Sequence, residues 1–305
     1  MGNWAGYLNS TGSRNVIVGI AGYENTTGNS NVFVGTFAGT KNHEGYGNVF
    51  IGDYAGAKTS GGMLNAFLGK NAGGNSLWGA KNVFIGNNAG REASGAEESI
   101  IIGTNAGLNA TGIQNVILGT NAGYSNSDGR NNVFIGYSAG YYETGSDKLY
   151  ISNNDTDSPL IWGDFVEGLV VIGGNISSNP NHRALFVCGP AGGVTAWYND
   201  SDRNLKHDIT TIPDALDKIM KLRGVNFKWN DPKPGMENLQ MGFIGQEAEA
   251  VIPEVVSSSN NHYSMQYAPI TALLVEGMKA QEKKIEDQQK EIDELKSLVK
   301  SLTEE

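Results

Sequence analysis

Apolar and polar positions alternate in a repeating pattern along the first half of the chain. Short apolar runs bounded by asparagine and glycine occur as Asn31-Val-Phe-Val-Gly35, Asn48-Val-Phe-Ile-Gly52 and Asn65-Ala-Phe-Leu-Gly69. Further copies begin at Asn82, Ser99, Asn115 and Asn132. Starts at 31, 48, 65, 82 and 99 are seventeen residues apart; 99 to 115 is sixteen, and 115 to 132 is seventeen again. An earlier copy begins at Asn15 and is one residue short in Gly19-Ile20-Ala21-Gly22. Lys148-Leu149-Tyr150-Ile151 falls where a further strand is due. Most runs lead into Gly-x-x-Ala-Gly, and Gly2-Asn3-Trp4-Ala5-Gly6 is the tail of a copy whose strand is missing. The chain therefore opens mid-pattern, as a piece of a longer protein would.

Runs this short, rich in β-branched and aromatic residues and closed by Asn and Gly, predict strands. Seventeen residues are too few for a strand with a crossover helix, which takes roughly 30. They suit one coil of a parallel β-solenoid, with equivalent strands stacked at ~4.8 Å. About nine coils predict a shaft some 40 Å long. The glycines at both ends of Gly-x-x-Ala-Gly allow positive φ at the corners. Stacked Asn15, Asn31, Asn48, Asn65, Asn82, Asn115 and Asn132 either form an asparagine ladder from coil to coil or serve as ordinary turn residues.

Alternation puts Val32 and Val34 on one strand face and Phe33 on the other. Both faces are apolar, and the second carries Ile17, Phe33, Phe50, Phe67, Phe84, Ile101, Ile117 and Phe134. So long a stripe exceeds what a soluble monomer exposes. Either the coil is flattened and buries both faces, or one face meets another subunit. The expectation is that the valines fill the coil and the phenylalanines lie at a subunit interface.

The repeat resembles the head repeats of trimeric autotransporter adhesins, which run Asn-Ser-Val-Ala-Ile-Gly. That resemblance, over about residues 1–150, implies a β-roll packed as a trimer. A period of seventeen instead of about fourteen, and Phe in place of Ala, leave the coil shape and the trimer packing open.

Residues 149–200 lose the period. Leu160-Ile-Trp162, Leu169-Val-Val-Ile172 and Leu185-Phe-Val187 predict strands between turn residues, so 151–200 reads as a β-rich neck. Asn153-Asn-Asp-Thr-Asp157 lacks the spaced Gly and terminal Glu of a calcium loop. Gly189-Pro-Ala-Gly-Gly193 lacks the Lys-Ser/Thr of a phosphate loop.

From Ser201 glycine thins and charge rises. Asp214-Ala-Leu-Asp-Lys-Ile-Met-Lys-Leu222 has helical spacing after Pro213. Val225-Asn-Phe-Lys-Trp229 and Gly242-Phe-Ile-Gly-Gln246 predict strands, and a long helix follows Pro269. Its heptads place Thr271, Met278, Ile285, Ile292 and Val299 at a, with Leu274, Gln281, Gln288, Leu295 and Leu302 at d. Almost no apolar residue lies off that seam after Met278, which favours a coiled coil over 270–302 against a lone surface helix. Ile or Val at a does not set the number of strands by itself. The adhesin-like repeat points to three.

Ser201-Asp-Arg-Asn-Leu-Lys206-His-Asp-Ile209, Gly242-Phe-Ile-Gly-Gln-Glu247 with Pro253-Glu-Val-Val256, and Tyr267-Ala-Pro-Ile-Thr-Ala-Leu-Leu-Val-Glu276 resemble, in order, the self-cleaving intramolecular chaperone domain that ends endosialidase tailspikes and many phage tail fibres. The resemblance covers about 201–305. It implies a chaperone that trimerises the fibre and cuts itself off between Asp200 and Ser201, with Ser201 and Lys206 as the catalytic pair. A serine is a poor nucleophile until a base takes its proton. Lys206 can do so only as a free amine; Arg203 and His207 favour that form, whereas Asp200, Asp202 and Asp208 oppose it. Attack on the serine's own preceding carbonyl and attack across chains remain equally open.

The fold expected is thus mainly β: a parallel β-solenoid (β-roll) shaft over 1–150, the neck, and a small α+β chaperone domain over 201–305 ending in a trimeric coiled coil. A formal charge of −10 opposes nucleic acid as a partner, since binding there needs a basic face. No run of about 18 apolar residues predicts a membrane span. One cysteine, Cys188, and four scattered histidines supply neither a disulfide framework nor a zinc site, so no metal or cofactor is expected. The function expected is a homotrimeric fibre tip or adhesin on a virion tail or cell surface. Its expected partners are itself, a surface glycan or protein receptor, and the base of a longer fibre. The alternatives are a glycan-cleaving tailspike, for which Asp53 and Glu92 are scattered acids without evident pairing, and a fibre held by a permanent, uncleaved clamp. A membrane-bound transcription regulator, where the same module also occurs, fits the acidic chain least.

Overall fold

The computed structural model describes residues 2–178, 184–187, 201–230, 236–259 and 262–303. Cys188, the Gly189–Gly193 stretch and Asp200 lie outside the described residues. The chain divides into two compact units, Met1–Cys188 and Gly189–Glu305.

The first unit is a β-solenoid. Its three-residue strands are β1 (Val16–Val18), β2 (Val32–Val34), β3 (Val49–Ile51), β4 (Ala66–Leu68), β5 (Val83–Ile85), β6 (Ile100–Ile102), β7 (Val116–Leu118) and β8 (Val133–Ile135). Each pairs in parallel with the next, in register, so that Phe33, Phe50, Phe67, Phe84, Ile101, Ile117 and Phe134 fall in one column. β9 (Lys148–Ile151) extends the stack in parallel and adds Tyr150 to that column. β10 (Ile161–Asp164) and β11 (Leu169–Ile172) then turn back antiparallel, and β12 (Leu185–Val187) joins β11 in parallel. All twelve belong to one sheet.

The interior column is where sequence and structure part. The phenylalanines do not face outward: Phe33, Phe50, Phe84 and Phe134 are wholly buried inside the coil, and Phe33, Phe50, Phe67 and Phe84 stack ring upon ring. The Val and Ile rows that flank them, such as Val49 and Ile51, are the ones left on the outer face. The expected assignment of the two faces is therefore inverted, and the coil does not bury both. The cause is room. Across from each ring sit the alanine and glycine of Gly-x-x-Ala-Gly, and a Cβ on Gly56 would lie 2.5 Å from the Phe50 ring. A large ring fills that space in most coils, and Ile101 and Ile117 fill it in two others, whereas a valine would leave a void.

Asparagine closes each coil and ties it to the next. Asn48 Nδ2 donates to Gly62 O at 2.8 Å within its own coil, while its Oδ1 accepts the backbone N–H of Asn65 at 3.0 Å. The same link runs from Asn15 through Asn31, Asn48, Asn65 and Asn82 to Ser99, whose Oγ takes over for Asn115. The ladder is real and buried, which satisfies polar groups that water cannot reach. Corner glycines such as Gly39 and Gly56 have φ near 60°, as the pattern predicted. Two residues earlier, Phe37, Tyr54, Asn71 and Asn88 take the same left-handed conformation, which the sequence reading did not foresee.

At the far end, Glu143 and Lys148 close the polar and apolar columns. Tyr150 donates its hydroxyl to Glu143 Oε2 at 2.9 Å, and Lys148 pairs with Asp164 beside the Trp162 ring.

The second unit holds helix α1 (Ala215–Lys221), the hairpin β13 (Val225–Phe227) with β14 (Gln240–Gly242), helix α2 (Gly245–Glu249), the hairpin β15 (Val256–Ser259) with β16 (His262–Met265), and helix α3 (Ile270–Thr303). Its core is small: Ala215, Ala248, Ile252, Ile270 and Leu273. The strand expected over 242–246 stops at Gly242, because the helix-favouring Gln246-Glu-Ala-Glu segment winds up against Tyr263. α1 lies on the first turns of α3, with Ile219 against Gly277. Beyond that contact, every described residue of α3 from Met278 onward is exposed. The expected heptad seam is therefore bare on a helix ~50 Å long.

Candidate self-cleavage site

The described part of the second unit opens with Ser201. Asp202 is extended and caps a single 3₁₀ turn, Arg203–Leu205, its Oδ1 accepting the amide N–H of Asn204 at 2.8 Å. The amide of Lys206 closes the turn by donating to Arg203 O at 3.1 Å. That reversal carries the lysine back to the start, where Lys206 Nζ donates to Ser201 Oγ at 2.7 Å. The two residues named from sequence are thus joined directly, five apart in the chain. His207 pairs with Asp208 at 2.8 Å, and both side chains are more than nine-tenths exposed.

All of 201–211 is exposed in the single chain. A contact this short is the one a general base makes with the hydroxyl whose proton it takes. Nothing within the described chain keeps water from the pair.

The segment then runs along a groove of about 330 Å³ lined by Thr210, Ile212, Ile252, Val255, Pro269 and Leu273. The other two sequence motifs meet each other. Tyr267 Oη accepts the amide N–H of Phe243 at 3.1 Å and sits 2.5 Å from where a Cβ on Gly242 would be, so a side chain there would push the hydroxyl away. Arg223 donates to both carboxylate oxygens of Glu247, and that bond holds the Glu247 carboxyl below its usual range. The roles of Tyr267 and Arg223 depend on contacts 24 residues apart, which no local pattern signals.

Beyond the repeat solenoid, residues 201–257 match the family described as "Chaperone of endosialidase". The match begins at the serine of the Ser201–Lys206 pair and ends in β15. The chain is also similar to the long tail fiber protein Gp37 of Salmonella phage S16, with 29% identity over 188 residues, 52% of this chain and 24% of that protein. It spans about a quarter of that relative's length.

Proposed function

We propose that this chain is part of a phage tail fibre, located in the virion tail, that acts as a homotrimer in host attachment and is assembled by its own C-terminal chaperone. The observation that carries the reading is the bare seam of α3. Leu274, Met278, Ile285, Ile292, Leu295, Val299 and Leu302 are all exposed on one helix, a pattern stable in water only against other copies. The solenoid repeats that demand in its outer Val and Ile rows, and three copies packed side by side answer both. The receptor is a cell-surface glycan or protein, and the other end of the shaft joins the rest of a longer fibre.

The chaperone then removes itself. Three copies bring surfaces together around Ser201 and Lys206, and water exclusion there favours the free amine. Lys206 takes the Ser201 hydroxyl proton, and Oγ attacks the carbonyl carbon of Asp200, in its own chain or a neighbour's. The amide nitrogen leaves with a proton, and one water releases the ester. Asp200 ends as a carboxylate and Ser201 as a new amino terminus. An exposed dyad in the lone chain supports cutting after assembly and not before it.

Denaturing gels of the folded protein test this, with fragments of residues 1–200 and 201–305 expected. Ser201→Ala and Lys206→Ala should each leave one intact band and still form trimers by light scattering. A wild type that stays whole makes the domain a permanent clamp. Full-rate cutting in Lys206→Ala removes the lysine from the mechanism.

A further inference from the structure

A second group of reactive side chains lies on the solenoid, away from its strands. Glu24, His43 and Ser60 come from three successive coils. His43 Nε2 is 2.9 Å from Glu24 Oε2, and His43 Nδ1 is 3.0 Å from Ser60 Oγ. An ionised carboxylate only accepts, so Nε2 carries the proton of the neutral ring and Nδ1 accepts from the serine. The result is a carboxylate–imidazole–hydroxyl relay with the order, though not the ring orientation, of a serine hydrolase. Register builds it: positions 43 and 60 are one repeat apart and fall one above the other. All three side chains are reachable, with His43 and Glu24 43% and 32% exposed.

Two further features surround the serine. The chain continues as Gly61-Gly62, and among the described residues neither amide N–H has a hydrogen-bond partner. The amide next to a nucleophilic serine is a usual oxyanion donor. Trp78, from the following coil, lies over Gly61: a Cβ there would be 2.6 Å from the indole, which is itself 65% exposed. An open hydroxyl beside a flat aromatic ring suits a small acyl group carried on a larger molecule, with a pyranose ring on the indole.

We propose that Glu24, His43 and Ser60 form an esterase site that removes small acyl groups, of the O-acetyl class, from surface polysaccharide. Ser60 Oγ attacks the ester carbonyl as His43 Nδ1 takes its proton. The tetrahedral oxyanion is held by the Gly61 amide, the one next to the serine. It collapses to an acyl-serine, and the departing alcohol takes the proton back from His43. Water, deprotonated by the same nitrogen, then releases the carboxylic acid and restores the serine. Glu24 is a positioning residue that fixes the tautomer and steadies the imidazolium. Polysaccharide as the carrier rests on the attachment reading; the ester chemistry does not.

The test uses the full chain in a Ser201→Ala background, which silences the other serine, with 4-nitrophenyl acetate as substrate and a fluorophosphonate as label. The expected result is hydrolysis that falls about 100-fold or more in Ser60→Ala and in His43→Ala, with unchanged circular dichroism. The label should map to Ser60. Glu24→Gln should lower the rate and Glu24→Asp partly restore it. Acetate release from an O-acetylated polysaccharide would identify the carrier, and its absence beside active ester cleavage would restrict the proposal to other acyl esters. Equal rates in wild type and Ser60→Ala, or no label on Ser60, would overturn it and leave the three residues as a strut between coils. Trimer formation and self-cleavage are read separately, so either reading can fail alone.

Discussion

Phe67 and Phe84 lie parallel inside the solenoid, ring centroids 4.7 Å apart and planes 3° from one another. Each ring fills its coil and is the floor of the next. Phe67→Ala should therefore cost about 3–5 kcal/mol. Calorimetry or denaturant melts of the shaft would check it, and a loss below 1 kcal/mol would mean the coil collapses around the gap.

The asparagine ladder contains its own control. Ser99 stands where other coils have asparagine and still accepts the amide of Asn115 at 3.1 Å. Asn65→Ala strands the buried amide of Asn82 and the carbonyl of Gly79, for about 2–4 kcal/mol. Asn65→Ser should cost visibly less. Equal losses would show that the ladder's interlink contributes nothing.

Burial, with the Glu143 carboxylate beside it, pushes the Tyr150 phenol above its ordinary value. Above about pH 10 an unfolded chain sheds that proton while the folded chain keeps it, so stability falls as pH rises. The slope is about 1.4 kcal/mol per pH unit from this one group. Tyr150→Phe should flatten the alkaline limb of a stability–pH curve. An unchanged limb would place the titration at another tyrosine.

Inner and outer strand positions should respond oppositely to charge. Ile51→Glu puts a carboxylate on an exposed row and should leave the coil folded while opposing trimer formation. Phe50→Glu, one position away, should unfold it. Ile285→Glu with Ile292→Glu should abolish the trimer without melting α1 against α3. Sedimentation with circular dichroism separates these outcomes, and a trimeric Ile285→Glu/Ile292→Glu chain would remove the coiled coil from assembly.

Much of this was legible because the repeat is strict. Asn31, Asn48 and Asn65 announce their spacing, and spacing alone selects a coil over a strand–helix unit. Alternation separates Val32 from Phe33 but does not say which is inside; that depends on the volume opposite, and the clue lay in Ala38 and Gly39, small residues facing every ring. The pairing of β15 with β16 went unread because Ser257-Ser-Ser259 has no apolar alternation, and both strands pack on α2, a contact no local pattern signals. Ser201 and Lys206 were legible as a pair from a resemblance, and their contact follows from the cap at Asp202. Glu24, His43 and Ser60 were not, since only the stacking of three coils brings them together.

In-register stacking has a consequence for the length of the shaft. Successive coils pair in the same register through an asparagine or serine and an inward ring or isoleucine, so one repeat can be added or lost without remaking either junction. The sixteen-residue coil between Ser99 and Asn115 shows that even a missing corner residue is absorbed. Recombination between near-identical repeats would then lengthen or shorten the shaft in steps of ~4.8 Å. The solenoid is a ruler whose graduations are set by the gene, and reach can change while the ends stay the same.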